Sequence, residues 1–305
     1  MSRGSKIQIA YAPQATEEVP KTGWKILPYK SNGLTASFEN TDSETITYSR
    51  IQQAGLVTSG SLSGDIEVEF AKDAYDDFLA AVACNEWNTN ALTFGGDVVK
   101  KFAIEVAFKD VGIFHYYGGT RINALELSLS DSGYASAKFG FVGSDYQNQN
   151  DTAYSKTPTS AGTLQRVTAL SVEDIQIDGV TTKGVACVTE FSFKVDNNIQ
   201  EQKCLGGGIF AKNLLEMMAK MEGSLTLAYG KKAQEIINKQ MTGATVAISI
   251  VLKFPDGSKY TLNIPKAQVN GETPSGGMND LITQAVNFTV VEQAPTITKT
   301  AGGGA

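Results

Sequence analysis

The side chains with the most chemistry to offer form a short acidic run. Asp65, Glu67 and Glu69 stand at alternate positions, and Asp73, Asp76 and Asp77 follow closely. Carboxylates so near one another could chelate a hard cation such as calcium. A calcium loop, however, wraps its oxygens around the ion through a glycine-turned segment, whereas alternate positions of a strand all point one way. A solvated charged face is therefore expected. The only histidine, His115, lies among Phe114, Tyr116 and Tyr117. One imidazole, with no second histidine and no cysteine pair, builds no triad, zinc site or acid–base couple. It is expected to be a packed or surface side chain. Cys84, Cys187 and Cys204 are widely separated and match no metal or redox spacing, so they read as free thiols of a reducing compartment. The run Lys203-Cys-Leu-Gly206-Gly207-Gly208-Ile-Phe210 offers a glycine loop of the kind that cradles phosphate at a helix start. Its spacing fits neither common nucleotide fingerprint, and a flexible turn that lets chains approach closely is the simpler expectation. No catalytic, cofactor or metal residue is expected, and the chain is not expected to be an enzyme.

The elements that position these residues occur twice. Gly64-Asp-Ile-Glu-Val-Glu-Phe70-Ala-Lys-Asp-Ala74 is echoed by Gly223-Ser-Leu-Thr-Leu-Ala-Tyr229-Gly-Lys-Lys-Ala233, at a constant separation of 159 residues. A strand with small residues between its apolar ones follows in each half, Phe102–Phe108 and Val246–Leu252. Upstream, Ala36-Ser-Phe-Glu-Asn-Thr is set against Phe191-Ser-Phe-Lys-Val-Asp. Repeats of this size fix architecture, so they are weighed first. Within them Ile66, Val68 and Phe70 share one strand face and the acids the other. Leu125, Leu127 and Leu129 alternate in the same way, as do Ala135, Ala137, Phe139 and Phe141. Asp178-Gly179 and Asp256-Gly257 mark hairpin turns that need positive φ. Tyr75, Phe78, Leu79 and Val82 form one apolar helical stripe, and Ala233, Ile236, Ile237 and Gln240 a weaker one. A further helix is expected over Ile209–Met221, where Leu214, Leu215, Met217 and Met218 cluster.

The bulk numbers suit such a protein. The 305 residues accommodate two domains of about 130 residues each. Apolar residues at 42% fill cores, and a net charge of −6 excludes a basic nucleic-acid binder. No apolar run spans a membrane, and the N-terminus lacks the apolar core of a signal peptide. The expected organisation is an N-terminal arm over 1–20 with little core to bury, a first β domain over 21–146, and a linker over 147–162. A second β domain over 163–293 and a flexible tail over 294–305 complete it. The class is α+β, mostly β: two tandem sandwiches or partial barrels, each with a flanking α-helix. The polar stretch from Asn40 to Gly60 is long for a connector in a compact domain, and such loops are usually functional.

Residues 24–142 resemble the major tail tube protein of long-tailed bacteriophages, particularly non-contractile ones, and 167–291 resemble a second copy. The resemblance rests on the order of features: the polar arm, the Gly-Ser-Leu-Ser-Gly-Asp-Ile-Glu-Val-Glu-Phe strand around Gly64, the helix from Tyr75 to Val82, and paired hairpins. It implies subunits whose sheets join into a continuous barrel, in rings that stack around a lumen. The tube would surround the tape-measure protein, meet tail-terminator or tail-tip proteins, and let double-stranded DNA pass without specific binding. Assembly would take place in the host bacterial cytoplasm, in no contact with a membrane. A duplicated chain implies trimeric rings of pseudo-sixfold symmetry, with a hexamer of a two-layered subunit as the rival geometry. Asp65, Glu67 and Glu69 then become candidates for the lumen, whose negative potential would keep a polyanion from sticking. Lys231, Lys232 and Lys239 stand against Asp73, Asp76 and Asp77. Lys231, Lys232, Asp73, Asp76 and Asp77 are thus candidate inter-subunit contacts. Thr41, Glu44, Thr47 and Arg50 are candidates for an inter-ring arm. The alternative is a tandem β-sandwich tail-tip module or adhesin binding a surface glycan or receptor, with Trp24, Trp87, Tyr116 and Tyr117 as stacking platforms.

Overall fold

The computed structural model describes residues 3–46, 48, 50–183, 186–274, 278 and 281–302. The first half supplies β1 (Ile7–Pro13), β2 (Lys25–Leu27), β3 (Ser31–Asn32), β4 (Thr35–Thr41), β5 (Leu56–Glu69) and α1 (Asp76–Val82). It continues with β6 (Ala91–Thr93), β7 (Phe102–Phe108), β8 (Ile113–Ser130), β9 (Ser136–Gly143) and β10 (Asp145–Asn150). The second half supplies β11 (Val172–Ile177), β12 (Val180–Thr181), β13 (Val188–Asp196), β14 (Gln200–Gln202), β15 (Asn213–Leu215) and β16 (Lys220–Ala228). Then come α2 (Lys231–Thr242), β17 (Thr245–Lys253), β18 (Lys259–Gly271), β19 (Thr283–Val290) and β20 (Thr296–Thr300). The chain is thus mostly β with a helix in each half, and every pairing between these strands is antiparallel, as short turns between alternating strands dictate.

Six pairings run in the same order in both halves. In the first they are β1–β7, β7–β8, β8–β9, β9–β5, β5–β4 and β8–β10. In the second they are β11–β17, β17–β18, β18–β19, β19–β16, β16–β13 and β18–β20. Even a register shift recurs, between Phe102 and Ile104 on β7 and between Val246 and Ile248 on β17. Gly64 and Gly223 answer to one another as well. A Cβ on Gly64 would come within 2.1 Å of the Gly33 carbonyl oxygen, and one on Gly223 within 2.2 Å of that of Ser192. The upstream match shifts, however. Leu62 pairs with Ala36 and Met221 with Val195, so Ala36 corresponds to Val195 rather than to Phe191.

One long pairing joins the halves: β8 lies beside β13 from Ala124↔Asp196 to Ser130↔Glu190. A single sheet therefore runs β4–β5–β9–β8–β13–β16–β19–β18. Its inner face carries the alternating apolar residues, among them Ile66, Val68, Leu125, Phe139, Phe193, Leu225 and Phe288, all buried. Phe78 of α1 is packed between layers: its ring meets Tyr11 of β1, Phe102 of β7, and Phe139 and Phe141 of β9, at 4.7–5.5 Å between centroids. That is why Phe78, Leu79, Ala80, Ala81 and Val82 are all buried, where the sequence showed only one apolar stripe. On α2 Ala233, Ile236 and Ile237 are buried, and Gly243 ends the helix at φ 67°.

Three sequence expectations are corrected. The presumed N-terminal arm contains β1, whose Ile9, Ala10, Tyr11 and Ala12 are buried between β2 and β7. Its continuous apolar run lacks the alternation of a half-solvated strand. The tail from 294 is not free either. Residues 296–300 form β20 between β18 and β6, with Ile297 in the core. No helix covers 209–221; this stretch holds β15 and the start of β16. The polar stretch after Ser144 includes β10 on β8. The buried Glu105 carboxylate then accepts bonds from the Tyr154 and Ser155 amides and the Ser155 hydroxyl.

Candidate assembly surface

Strand alternation sends the polar residues of the long sheet to one solvated face. One row crosses it in register: Ser31 on β3, Glu67 on β5, Lys138 on β9, Glu126 on β8, Lys194 on β13, Glu222 on β16, Thr289 on β19 and Gln268 on β18. Charges alternate in sign along it. Lys30 meets Glu67 at 2.6 Å, Lys138 meets Asp65 at 2.7 Å, Arg166 meets Glu69 at 2.6 Å and Lys194 meets Glu126 at 3.1 Å. The hydrogen bond from Lys30 holds the Glu67 carboxyl below its ordinary range. Exposed pairs of this kind contribute little stability. What they change is the potential. Asp65, Glu67 and Glu69 do share a face, as expected, but it is a ladder of matched charges and hydroxyls rather than a bare acidic wall. Ser192 and Ser224 continue it, their hydroxyls 2.8 Å apart.

The acids around α1 serve the joint between the halves. Lys299 of β20 binds Asp73 at 3.1 Å and also Asp76, with its ammonium 4.2 Å from the Trp87 ring centroid and 5.0 Å from that of Tyr260. The Tyr260 hydroxyl is 2.9 Å from Asp73 and 3.3 Å from Asp76. Beside them Lys72 pairs with Asp256 at 2.5 Å. Asp77 instead takes Lys25 at 2.7 Å and the Tyr11 hydroxyl at 3.1 Å. Burial raises the Asp76 carboxyl despite Lys299. Burial pushes Asp73 the same way, but the bonds from Lys299 and Tyr260 outweigh it and leave Asp73 below its ordinary value. The Lys72 and Ser258 bonds hold Asp256 well below the carboxylate range.

A depressed folded-state pKa adds stability above the unfolded value, near 4, that is lost as pH falls through the folded one. Asp73 and Asp256 therefore loosen the joint in acid, while Asp76 has the opposite sign. The urea midpoint is expected to drop as pH falls from about 5 to about 2, and to drop less steeply in Asp256→Asn. Equal slopes in the two proteins would show that the joint does not carry the acid response.

The structure does not bring Lys231 and Lys232 to these acids. Lys231 is exposed, Lys232 lies 3.6 Å from Glu235 on its own helix, and Lys239 pairs with Asp178. The expected charge match between α1 and α2 is thus not made within the chain. Thr41 opens the β4–β5 arm and bonds Thr58 at 2.9 Å, while Glu44 and Arg50 are exposed on it. Thr47 lies outside the described residues.

A second arm escaped the sequence reading. β14 and β15 form a hairpin at the same place in the second half. Its tip folds back on the first half: the Gly60 amide donates to the Ile209 carbonyl at 2.8 Å, and the Phe210 ring meets Phe38 at 5.8 Å. Gly206–Gly208 make the turn that allows this, with Gly206 and Gly208 at φ 77° and 92°, and they open no helix. The available signal was the constant separation of 159 residues, which sets Leu215 against Leu56. Of the aromatics suggested as sugar platforms, Trp24, Tyr116 and Tyr117 are buried, and Trp87 is half-buried beneath Lys299. His115 is packed between Phe108 and Tyr146, its Nδ1 2.7 Å from the tyrosine hydroxyl, and burial lowers its pKa.

A sandwich with one long solvated sheet face, exposed hairpin arms and open sheet edges is a building block. The family model for phage tail tube proteins matches residues 4–290, and the chain belongs to that family. It is a structural subunit of the tail of a virion. A search of curated proteins finds no match. No helix among the described residues is long and apolar enough to cross a membrane.

Proposed function

We propose that the chain is a duplicated tube subunit that closes a ring with three copies, in pseudo-sixfold symmetry, and that these rings stack into the channel of a siphovirus-type tail. The β8–β13 junction carries the reading. It already joins two six-pairing units edge to edge, and it leaves open edges at both ends of the long sheet. Among the described residues β4 pairs with β5 alone, and beyond Gln268 β18 pairs only with β19. Open edges invite pairing, and head-to-tail repetition of one joint closes a ring. The duplication is supported by the shared pairing order, the shared register shift and the paired glycines. The two domains, 21–146 and 163–293, are connected through the stretch 147–162 and meet at the β8–β13 junction.

The solvated face of the long sheet lines the lumen in this reading, with Asp65, Glu67 and Glu69 on it. Its lysines are matched by carboxylates, so few cations remain to grip phosphate, and duplex DNA and the tape-measure protein slide past. Tail-terminator and tail-tip proteins cap the stack, which is built in the host cytoplasm before DNA is ejected through it. End-on electron microscopy of concentrated protein tests this. Rings with an open channel and threefold modulation are expected; a uniform sixfold ring of six chains would refute the trimer, and particles without a channel would refute the tube.

A further inference from the structure

We infer that the β4–β5 arm acts sideways within a ring: it docks on the second half of the neighbouring subunit, in the seat that corresponds to the one β14–β15 occupies on the first half. The inference rests on the ring reading. It replaces the inter-ring role expected for Glu44 and Arg50 by a lateral one.

The two arms are equivalent in position and length. The separation of 159 residues holds from the β4 and β13 pairings through to the helices, so Ile51 corresponds to Phe210, Ile46 to Leu205 and Glu44 to Lys203. The second arm shows what the seat is. Phe210 lies over Gly60, where a Cβ would come within 2.9 Å of its ring, and Lys203 reaches Ser59 at 3.3 Å. Ala211 is buried there. In that seat Lys212 of the second arm also reaches Glu17, at 3.4 Å.

The first arm, polar over most of its length, carries large apolar side chains that are solvated in the lone chain. Ile46 is 97% exposed and Leu56 76%. On the second half the residue corresponding to Gly60 is Ala219, and beside it Met217 and Met218 are exposed, Met218 at 87%. Flexible thioethers make an adaptable apolar pad, and the exposed Ile46 and Leu56 side chains of the arm are chemically suited to it. A seat used within the chain belongs to the side-by-side joint, so its repetition between chains is lateral as well. The same repetition sets Lys231, the counterpart of Lys72, against Asp110 of the neighbour, at the β7–β8 turn that matches the turn of Asp256.

Cysteine cross-linking decides the matter. Ile51→Cys and Ala219→Cys are combined in a chain whose Cys84, Cys187 and Cys204 are replaced by serine, and the assembled protein is oxidised. A covalent ladder is expected to end at the number of chains per ring counted end-on in micrographs. A ladder running past that number would place the arm between rings, and tubes without cross-links would remove it from this seat; either result overturns the inference while leaving the ring reading intact. Absence of rings from the unmodified protein would instead defeat the ring reading, and this inference with it. A second readout needs no cysteines. Lys231→Glu should weaken ring assembly at least tenfold, and Asp110→Lys in the same chain should restore it. Failure of that rescue, with rings still formed by the parent, would break the proposed register.

Discussion

Gly64→Ala is expected to cost about 3 kcal/mol or more, because strain and overpacking fall on the same residue. Gly64 has φ 147°, a conformation that side chains rarely adopt. Its missing Cβ would lie 2.1 Å from the Gly33 oxygen and 2.7 Å from the Leu34 Cα, both of them backbone atoms. Neither can swing aside as a side-chain end would, since the Gly33 amide is held by the Asp65 carbonyl at 2.7 Å. β4 would have to leave β5 at the point where the long sheet begins. At roughly 2–4 °C per kcal/mol for a chain of this size, the melting temperature should fall by about 10 °C. Gly133→Ala is the control: its φ is 87°, but nothing lies within 4 Å of the added carbon, so only conformational cost remains, about 1 kcal/mol. Equal melting temperatures for the two variants would refute the steric account. The matching clash at Gly223 explains why both halves carry glycine at this point.

Local pattern carried much of the fold. The alternation at Ile66–Phe70 and Leu125–Leu129 gave the strands, Asp178-Gly179 and Asp256-Gly257 sat in turns, and Phe78 with its neighbours formed the first helix. Missed elements are those whose character is set by distant neighbours. β1 reads as an arm with little core to bury because what buries it lies far off in the chain, Phe78 and Phe102 packing on Tyr11 and Tyr116 clustering with Ala10 and Ala12, and β20 reads as a tail because its partner β6 lies far back in the chain. At 209–221 the apolar spacing mimics a helix, while the backbone is held by Gln200–Gln202 and Gly60. The same limit applies to the charged face. Its three acids could be placed together from their spacing alone, but Lys30, Lys138 and Arg166 come from other segments, so a neutralising ladder could not be told from an acidic wall.

Replacing residues 42–55 by a short glycine–serine turn should abolish ring assembly while leaving the subunit folded. The arm contributes little to its own chain. Its described residues are almost all exposed, and its internal bonds, such as Ser43 to Thr45, stay within it. Closing a shorter loop gains about 0.6 kcal/mol for each halving of length, so the monomer should melt within about 2 °C of the parent or slightly higher. Assembly responds differently. If the arm takes the seat around Ala219, its loss strips the neighbour's exposed methionines of their cover and leaves the β4 edge to hold the joint alone. A short antiparallel edge pairing is marginal in water without apolar burial beside it. Sedimentation of the two proteins at matched concentration separates the effects: a folded, monomeric variant is expected where the parent forms rings. Rings of normal size from the shortened chain would mean that strand pairing suffices, and the arm would then need another role.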